Sequence, residues 1–114
     1  MPPDCLFCRM ASGEIPVPKV HEDDLVFAIR DINPQAPTHV LVMPKVHVRS
    51  AADLTEGDAP MLSRLFSVAA KVAEQDGLDG GWRVVSNVGP DAGQSVPHLH
   101  LHLLGGRSMH WPPG

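Results

Sequence analysis

Three histidines at alternating positions, His98, His100 and His102, stand out in a chain of 114 residues that carries seven histidines in all. Read as a strand, the segment His98–Leu104 sends alternate side chains to opposite faces. The three imidazoles then share one side and Leu99, Leu101 and Leu103 share the other, facing a core. Histidine is a poor filler for a half-buried face, so three in register point to chemistry. One possibility is metal ligation. Zinc–nitrogen bonds are about 2.0–2.1 Å long, whereas His98 and His102 would lie roughly 13 Å apart along a strand. Two neighbours could share an ion, but three hardly could. The other possibility is a single nucleophile, His100 at the centre, with flanking histidines that orient it or touch substrate. A neutral imidazole attacks phosphorus when its second nitrogen donates to a fixed acceptor.

The segment just before the triplet suits that second reading. Gly93, Gln94 and Ser95 offer backbone N–H groups, and Gln94 and Ser95 add side-chain donors. Preorganised donors of this kind stabilise charge developing on phosphate oxygens without a metal. A second constellation is Cys5-x-x-Cys8, the only two cysteines. Metal binding, redox chemistry and two free thiols are all open for such a pair in a cytoplasmic protein.

The elements that must position these groups can be read from pattern. Residues 5–12 make a short helix stopped at Gly13. Val17–His21 and Asp24–Arg30 read as strands joined by an acidic turn. Asn33–Pro37 is a proline-stiffened loop. Thr38–Pro44 is a strand whose run Val40-Leu41-Val42-Met43 implies burial on both faces. A long helix opens near Thr55, with Asp58 completing a capping box. Met61, Leu62, Leu65, Phe66, Ala69, Val72 and Ala73 form its apolar stripe, and Gly77 follows as its terminator. Trp82–Asn87 and His98–Leu104 are the last strands. The expectation is one α+β domain over residues 1–114, a five-stranded, mostly antiparallel sheet with one long helix and a short N-terminal helix.

Composition narrows the function classes. Apolar residues make up 43% and charged residues 19%, ordinary for a globular protein. The net charge of −4, without a basic run, argues against a nucleic-acid partner. No apolar run approaches the ~20 residues of a membrane span, and the N-terminus lacks the features of a signal peptide. A cytoplasmic location is expected.

The segment His98-Leu99-His100-Leu101-His102-Leu103-Leu104 resembles the signature of the histidine triad (HIT) superfamily, in which histidines alternate with apolar residues. Asp31–His39, Gly93–Val96, Leu104–Arg107 and Met109–Gly114 extend the resemblance over nearly the whole chain and toward the Hint branch. The resemblance implies a HIT-like fold and a homodimer whose two sheets join into one. It implies a purine nucleotide substrate with an AMP or GMP moiety, and hydrolysis of purine nucleoside 5′-phosphoramidates. His100 would form a nucleotidyl-histidine intermediate, supported by His39 and His98, with His102 at the phosphate or leaving group. Asn87, Gly93 and Ser95 match phosphate contacts, with Gln94 in the same loop. Asp31 matches the ribose carboxylate, and Phe7, Ile29, Ile32 and Leu41 match the purine pocket. Trp111 matches a C-terminal residue that approaches the partner's site. No cofactor is implied for catalysis. The cysteine pair lies outside the Hint signature; similar pairs in bacterial members accompany a structural zinc, whose ligands here would be Cys5, Cys8, His47 and His98. Two free thiols are the alternative. A nucleotide-binding regulatory module and a metal-dependent oxidoreductase, the latter without an evident carboxylate near the triplet, are the rival functions.

Overall fold

A computed structural model describes residues 4–114. Helix α1 is Leu6–Ala11, and α2 is Ala59–Gln75. The strands are β1 (His21–Glu22), β2 (Val26–Arg30), β3 (Thr38–Pro44), β4 (Trp82–Ser86) and β5 (Leu101–Gly105). They form one sheet in the order β1-β2-β3-β5-β4, and every neighbouring pair is antiparallel.

The sheet has two apolar faces. Val26 and Ala28 of β2, Val40 and Val42 of β3, and Leu99, Leu101 and Leu103 join α2 in the main core. The intervening residues Phe27, Ile29, Leu41 and Met43 face a smaller cluster with Cys5, Phe7 and Cys8 of the α1 region. All seven residues of β3 are therefore buried, as its unbroken apolar run predicts. Fully burying side chains of this size is worth ~1.5–3 kcal/mol each, so β3 anchors the histidine-bearing β5 beside it.

Helix α2 buries Met61, Leu65, Val68, Ala69, Val72 and Ala73. Two positions differ from the sequence stripe: Phe66 is exposed and Val68 is buried. The helix follows a single 3-10 turn, Glu56–Asp58, and the backbone N–H of Thr55 donates to Asp58 Oδ2 at 2.9 Å. Val68 stands three residues after Leu65 and four before Val72 and so shares their buried face, whereas Phe66 lies at its edge. At the other end Gly77 adopts φ +70°, Leu78 N–H bonds to Ala73 O and Gly77 N–H to Glu74 O. That is a Schellman stop, which requires the left-handed conformation glycine allows.

Other boundaries also move, for identifiable hydrogen-bonding reasons. The expected strand Val17–His21 shrinks to His21–Glu22, because Pro16 and Pro18 have no N–H to give a ladder. Strand β2 starts at Val26 and not at Asp24, since Asp23 Oδ1 takes the N–H groups of Leu25 and Val26. The strand expected over His98–Leu104 begins only at Leu101. Leu99 N–H instead bonds to Val48 O at 2.6 Å, and His98 N–H turns back to Val96 O. The alternation of faces survives this change, because Leu99 still enters the core with Leu101 and Leu103. Among the described residues no helix is long and apolar enough to cross a membrane.

Candidate active site

His100 is 6% exposed. Its Nδ1 lies 2.7 Å from the carbonyl oxygen of His98. A carbonyl can only accept, so Nδ1 carries the proton and Nε2 keeps its lone pair. The ring of Phe7 packs edge-on against this imidazole, with centroids 5.1 Å apart. These contacts fix both the tautomer and the orientation of the ring, which is what a nitrogen nucleophile needs.

The pocket beside it holds about 280 Å³ and is lined by Leu6, Phe7, Met10, Ile29, Arg30, Asp31, Ile32, Leu41, Ser95, Val96, His100 and His102. Eight sequence-predicted residues thus meet there: Phe7, Ile29, Asp31, Ile32, Leu41, Ser95, His100 and His102. Four lining residues were not expected, Leu6, Met10, Arg30 and Val96. Leu6 and Met10 stand one helical turn apart on α1, a spacing that could have found them once α1 was placed on the pocket. Ile32 is fully exposed, so it forms the rim and not the floor. A larger hollow of about 580 Å³ lies between Gly77–Arg83 and Gly106–Met109. It has no histidine in its lining, whereas His100 and His102 line the smaller pocket.

Some expected contributors stand elsewhere. The sequence assigned Gln94 as a phosphate donor, but its amide braces its own loop. Nε2 donates to Arg49 O at 2.8 Å and to Val96 O at 3.1 Å, while Oε1 accepts from Gly89 N–H. Gly93 N–H bonds to Pro90 O, which closes the turn ahead of Ser95. Asn87, Gly93 and Gln94 are absent from the pocket lining, whereas Ser95 faces it. Trp111 is 86% exposed and lies outside its own chain's pocket. The tail that carries it is held by Arg83, which donates to the carbonyls of His110 and Pro113.

On one side of His100 lies a chain of imidazoles. Gln35 N–H donates to His39 Nδ1 at 3.0 Å, so His39 carries its proton on Nε2. That nitrogen is 2.9 Å from His102 Nδ1 and 3.5 Å from Asp31 Oδ2. His102 therefore accepts at Nδ1 and presents Nε2–H. Burial, with His100 and His39 adding to it, pushes His102 down to about 4, and Asp31 opposes the shift only in part. The structure thus corrects the expectation that no carboxylate is near the triplet: Asp31, His39 and His102 bring their ligand atoms within 4.8 Å of one another. The proton on His39 Nε2, fixed from behind by Gln35, points into that cluster and makes it a hydrogen-bonded relay.

On the other side are Cys5, Cys8, His47 and His98, also with ligand atoms within 4.8 Å. His98 is fully buried, and its Nε2–H donates to Pro44 O at 2.8 Å. Its Nδ1 is therefore bare. Desolvation lowers its basicity further. Three groups converge on that one lone pair: Cys5 Sγ at 3.3 Å, Cys8 Sγ at 3.5 Å and His47 Nδ1 at 3.2 Å. One lone pair cannot serve three donors, but a central cation satisfies all four ligands. Tetrahedral zinc would separate nitrogen pairs by about 3.3 Å and nitrogen–sulfur pairs by about 3.6 Å. The donor set fits. A ligating histidine that donates its other N–H to a backbone carbonyl is also the usual support for a metal. Bound there, zinc would cross-link α1 to the segments carrying His47 and His98.

Comparison with known proteins agrees with this geometry. The model of the HIT domain family matches residues 12–109. A 14 kDa zinc-binding protein of Zea mays is 51% identical, over 96% of this chain and 87% of its own. Adenylylsulfatase HINT1 of Arabidopsis thaliana is 48% identical, over 96% of this chain and 76% of its own. The crystal structure of a HIT family hydrolase from Legionella pneumophila superimposes with a TM-score of 0.94 at 50% identity, covering 97% of this chain and all of that one. With its imidazole triplet, its five-stranded sheet and these relatives, the chain belongs to the HIT domain family, in its Hint branch.

Proposed function

We propose that the protein is a nucleotide hydrolase that cleaves purine nucleoside 5′-phosphoramidates to a nucleoside monophosphate and an amine. The observation that carries this reading is His100 itself, its Nδ1–H tied to the His98 carbonyl at 2.7 Å and its ring in the wall of a largely apolar pocket. In the first step His100 Nε2 attacks phosphorus, the P–N bond breaks, and the amine leaves with a proton. His102, with Nε2–H turned to the site by the relay from His39, is the donor for that proton or for a phosphate oxygen. In the second step water attacks phosphorus, the P–Nε2 bond breaks, and the monophosphate leaves. Ser95 contributes donors to the phosphate, with Asn87 and Gly93 at the edge of that loop. Asp31 takes the ribose hydroxyls, and Phe7, Ile29, Ile32 and Leu41 hold the base. No metal acts in either step; the zinc at Cys5, Cys8, His47 and His98 is structural, and the protein works in the cytoplasm.

The same intermediate serves a different leaving group. One relative is named an adenylylsulfatase, which supports testing sulfate beside amines. The assembly we propose is a homodimer joined through β4, an edge strand with Trp82 exposed. Trp111 of one protomer would then approach the other's leaving-group site, and removing residues 108–114 would change the ranking of amines.

The test is turnover of adenosine 5′-phosphoramidate and of adenylyl sulfate, each with and without chelator, followed by alkaline quench, which preserves a P–N bond to histidine, and peptide mass analysis. Turnover with a nucleotidyl adduct on His100 is expected. Tight AMP binding without turnover of either substrate would favour a regulatory nucleotide-binding module, and turnover without any adduct would remove the covalent mechanism.

A further inference from the structure

The cysteine pair and the base pocket share one small element. Helix α1 has six residues, far below the ~12–15 at which an isolated helix becomes even marginally stable. It is therefore held by what it touches. Cys5 caps it, accepting from Cys8 N–H at 3.4 Å. Phe7 and Cys8 are buried in the smaller apolar cluster, away from α2 and the main core. Between and beside the two cysteines, Leu6, Phe7 and Met10 line the pocket. One face of α1 thus carries metal-ligand chemistry while its other residues make a wall of the nucleotide site.

The remaining ligands come from far along the chain. His98 lies 93 residues from Cys5, and His47 lies 39 from Cys8. An ion bound by all four would cross-link α1 to the segment after β3 and to the approach of β5. Without such a link, three groups compete for the single lone pair of His98, and α1 is retained by apolar packing and weak thiol–imidazole contacts.

We propose that the ion at Cys5, Cys8, His47 and His98 seats α1 as a wall of the base pocket, so that metal binding and purine-nucleotide binding strengthen each other. This rests on the nucleotide reading of the pocket given above. Linkage makes the coupling reciprocal: the factor by which Zn²⁺ tightens AMP equals the factor by which AMP tightens Zn²⁺. The wall is one side of a pocket whose other sides are strands and the segments carrying Asp31, Ser95 and His100, so the factor should be about tenfold, inside the usual range for coupled sites.

The experiment uses the full chain, loaded with one equivalent of Zn²⁺ or stripped by chelator and dialysed. AMP affinity is measured calorimetrically in both forms, and Zn²⁺ affinity by chelator competition with and without saturating AMP. The expected result is about tenfold weaker AMP binding in the stripped protein, the same factor in Zn²⁺ affinity, and faster amide exchange confined to residues 6–11. Equal AMP affinity in both forms, with Zn²⁺ demonstrably bound, would overturn the coupling and leave the nucleotide reading standing. Failure of both forms to bind AMP would overturn that reading and the coupling with it. Failure to bind Zn²⁺ would overturn the metal site and the coupling but not the pocket. Should the stripped protein unfold, His47→Ala supplies the same test, because His47 is an exposed ligand outside the pocket. Its AMP affinity should fall at low Zn²⁺ and recover at high Zn²⁺; absence of that recovery would overturn the proposal.

Discussion

His100 stands between two clusters of similar composition and opposite chemistry. Cys5, Cys8, His47 and His98 bring their ligand atoms as close together as Asp31, His39 and His102 do. What separates them is the group behind each ring. Pro44 O accepts from His98 Nε2–H, which turns a lone pair inward. Gln35 N–H donates to His39 Nδ1, which turns a proton inward. The first cluster therefore offers its ligands to a cation, and the second turns a hydrogen bond into its centre. Proximity of ligating residues does not distinguish a metal site from a relay; the backbone groups that set their tautomers do.

The largest effect should come from the residue both clusters flank. His100→Ala should lower kcat by about 10⁴-fold or more, as removal of a nucleophile does, while AMP binding measured by calorimetry stays within a few-fold. Near wild-type turnover would show that neither cluster serves a covalent mechanism.

Breaking the metal side comes next. Cys5→Ser with Cys8→Ser should eliminate bound zinc by elemental analysis. It should lower Tm by roughly 10–20 °C, given ~2.7 kcal/mol for a ligand at a hundred times its Kd and ~4–8 °C per kcal/mol in a domain of about this size. Turnover at saturating substrate and moderate temperature should largely survive, with the loss appearing in KM. Wild-type protein purified without chelator and free of zinc would argue for two free thiols.

Breaking the relay should do the reverse. His39→Ala should leave zinc content and Tm close to wild type, and lower kcat by about 10–100-fold through the lost orientation of His102, at the lower end of what acid–base groups contribute. A fall in zinc content would show that the two clusters are not separable.

The smallest effect concerns acid stability. The folded pKa of His102 is pushed to about 4 by burial, from an ordinary 6.5. Between those values the unfolded chain binds a proton that the folded one does not, so this residue's contribution falls as pH drops from 6.5 to about 4 and levels off below. Asp23 adds acid sensitivity of its own, because its folded pKa lies well below the usual range through bonds to His21, Leu25, Val26 and Arg64. Comparing Tm against pH for wild type and His102→Asn isolates the histidine. Wild type should lose Tm relative to His102→Asn as pH falls from 6.5 to about 4.5; parallel curves would remove His102 as the cause.

Sequence alone determined what depends on neighbours along the chain. The alternation of His98, His100 and His102 with Leu99, Leu101 and Leu103, the double burial of Val40–Met43, the stop at Gly77 and the capping pair Thr55–Asp58 are all short-range patterns. Steric period and local hydrogen bonds enforce them. Two of the boundaries that moved did so for local causes, Pro16 and Pro18 in one case and the Asp23 carboxylate in another, while the start of β5 moved because Leu99 N–H bonds to the distant Val48 O. Tertiary structure decided the partners. His39 meets His102 across 63 residues and Cys5 meets His98 across 93, and no spacing rule foretells which imidazole faces which acceptor. It also brought Asp31 into the relay, gave Leu6 and Met10 to the pocket, and turned Gln94 back onto its own loop. Whether a histidine offers a proton or a lone pair is fixed by the group bonded to its other nitrogen. For His100 and His39 that group lies only two and four residues away, whereas for His98 and His102 it is Pro44 O and His39, which the sheet ordered β1-β2-β3-β5-β4 brings alongside only after folding.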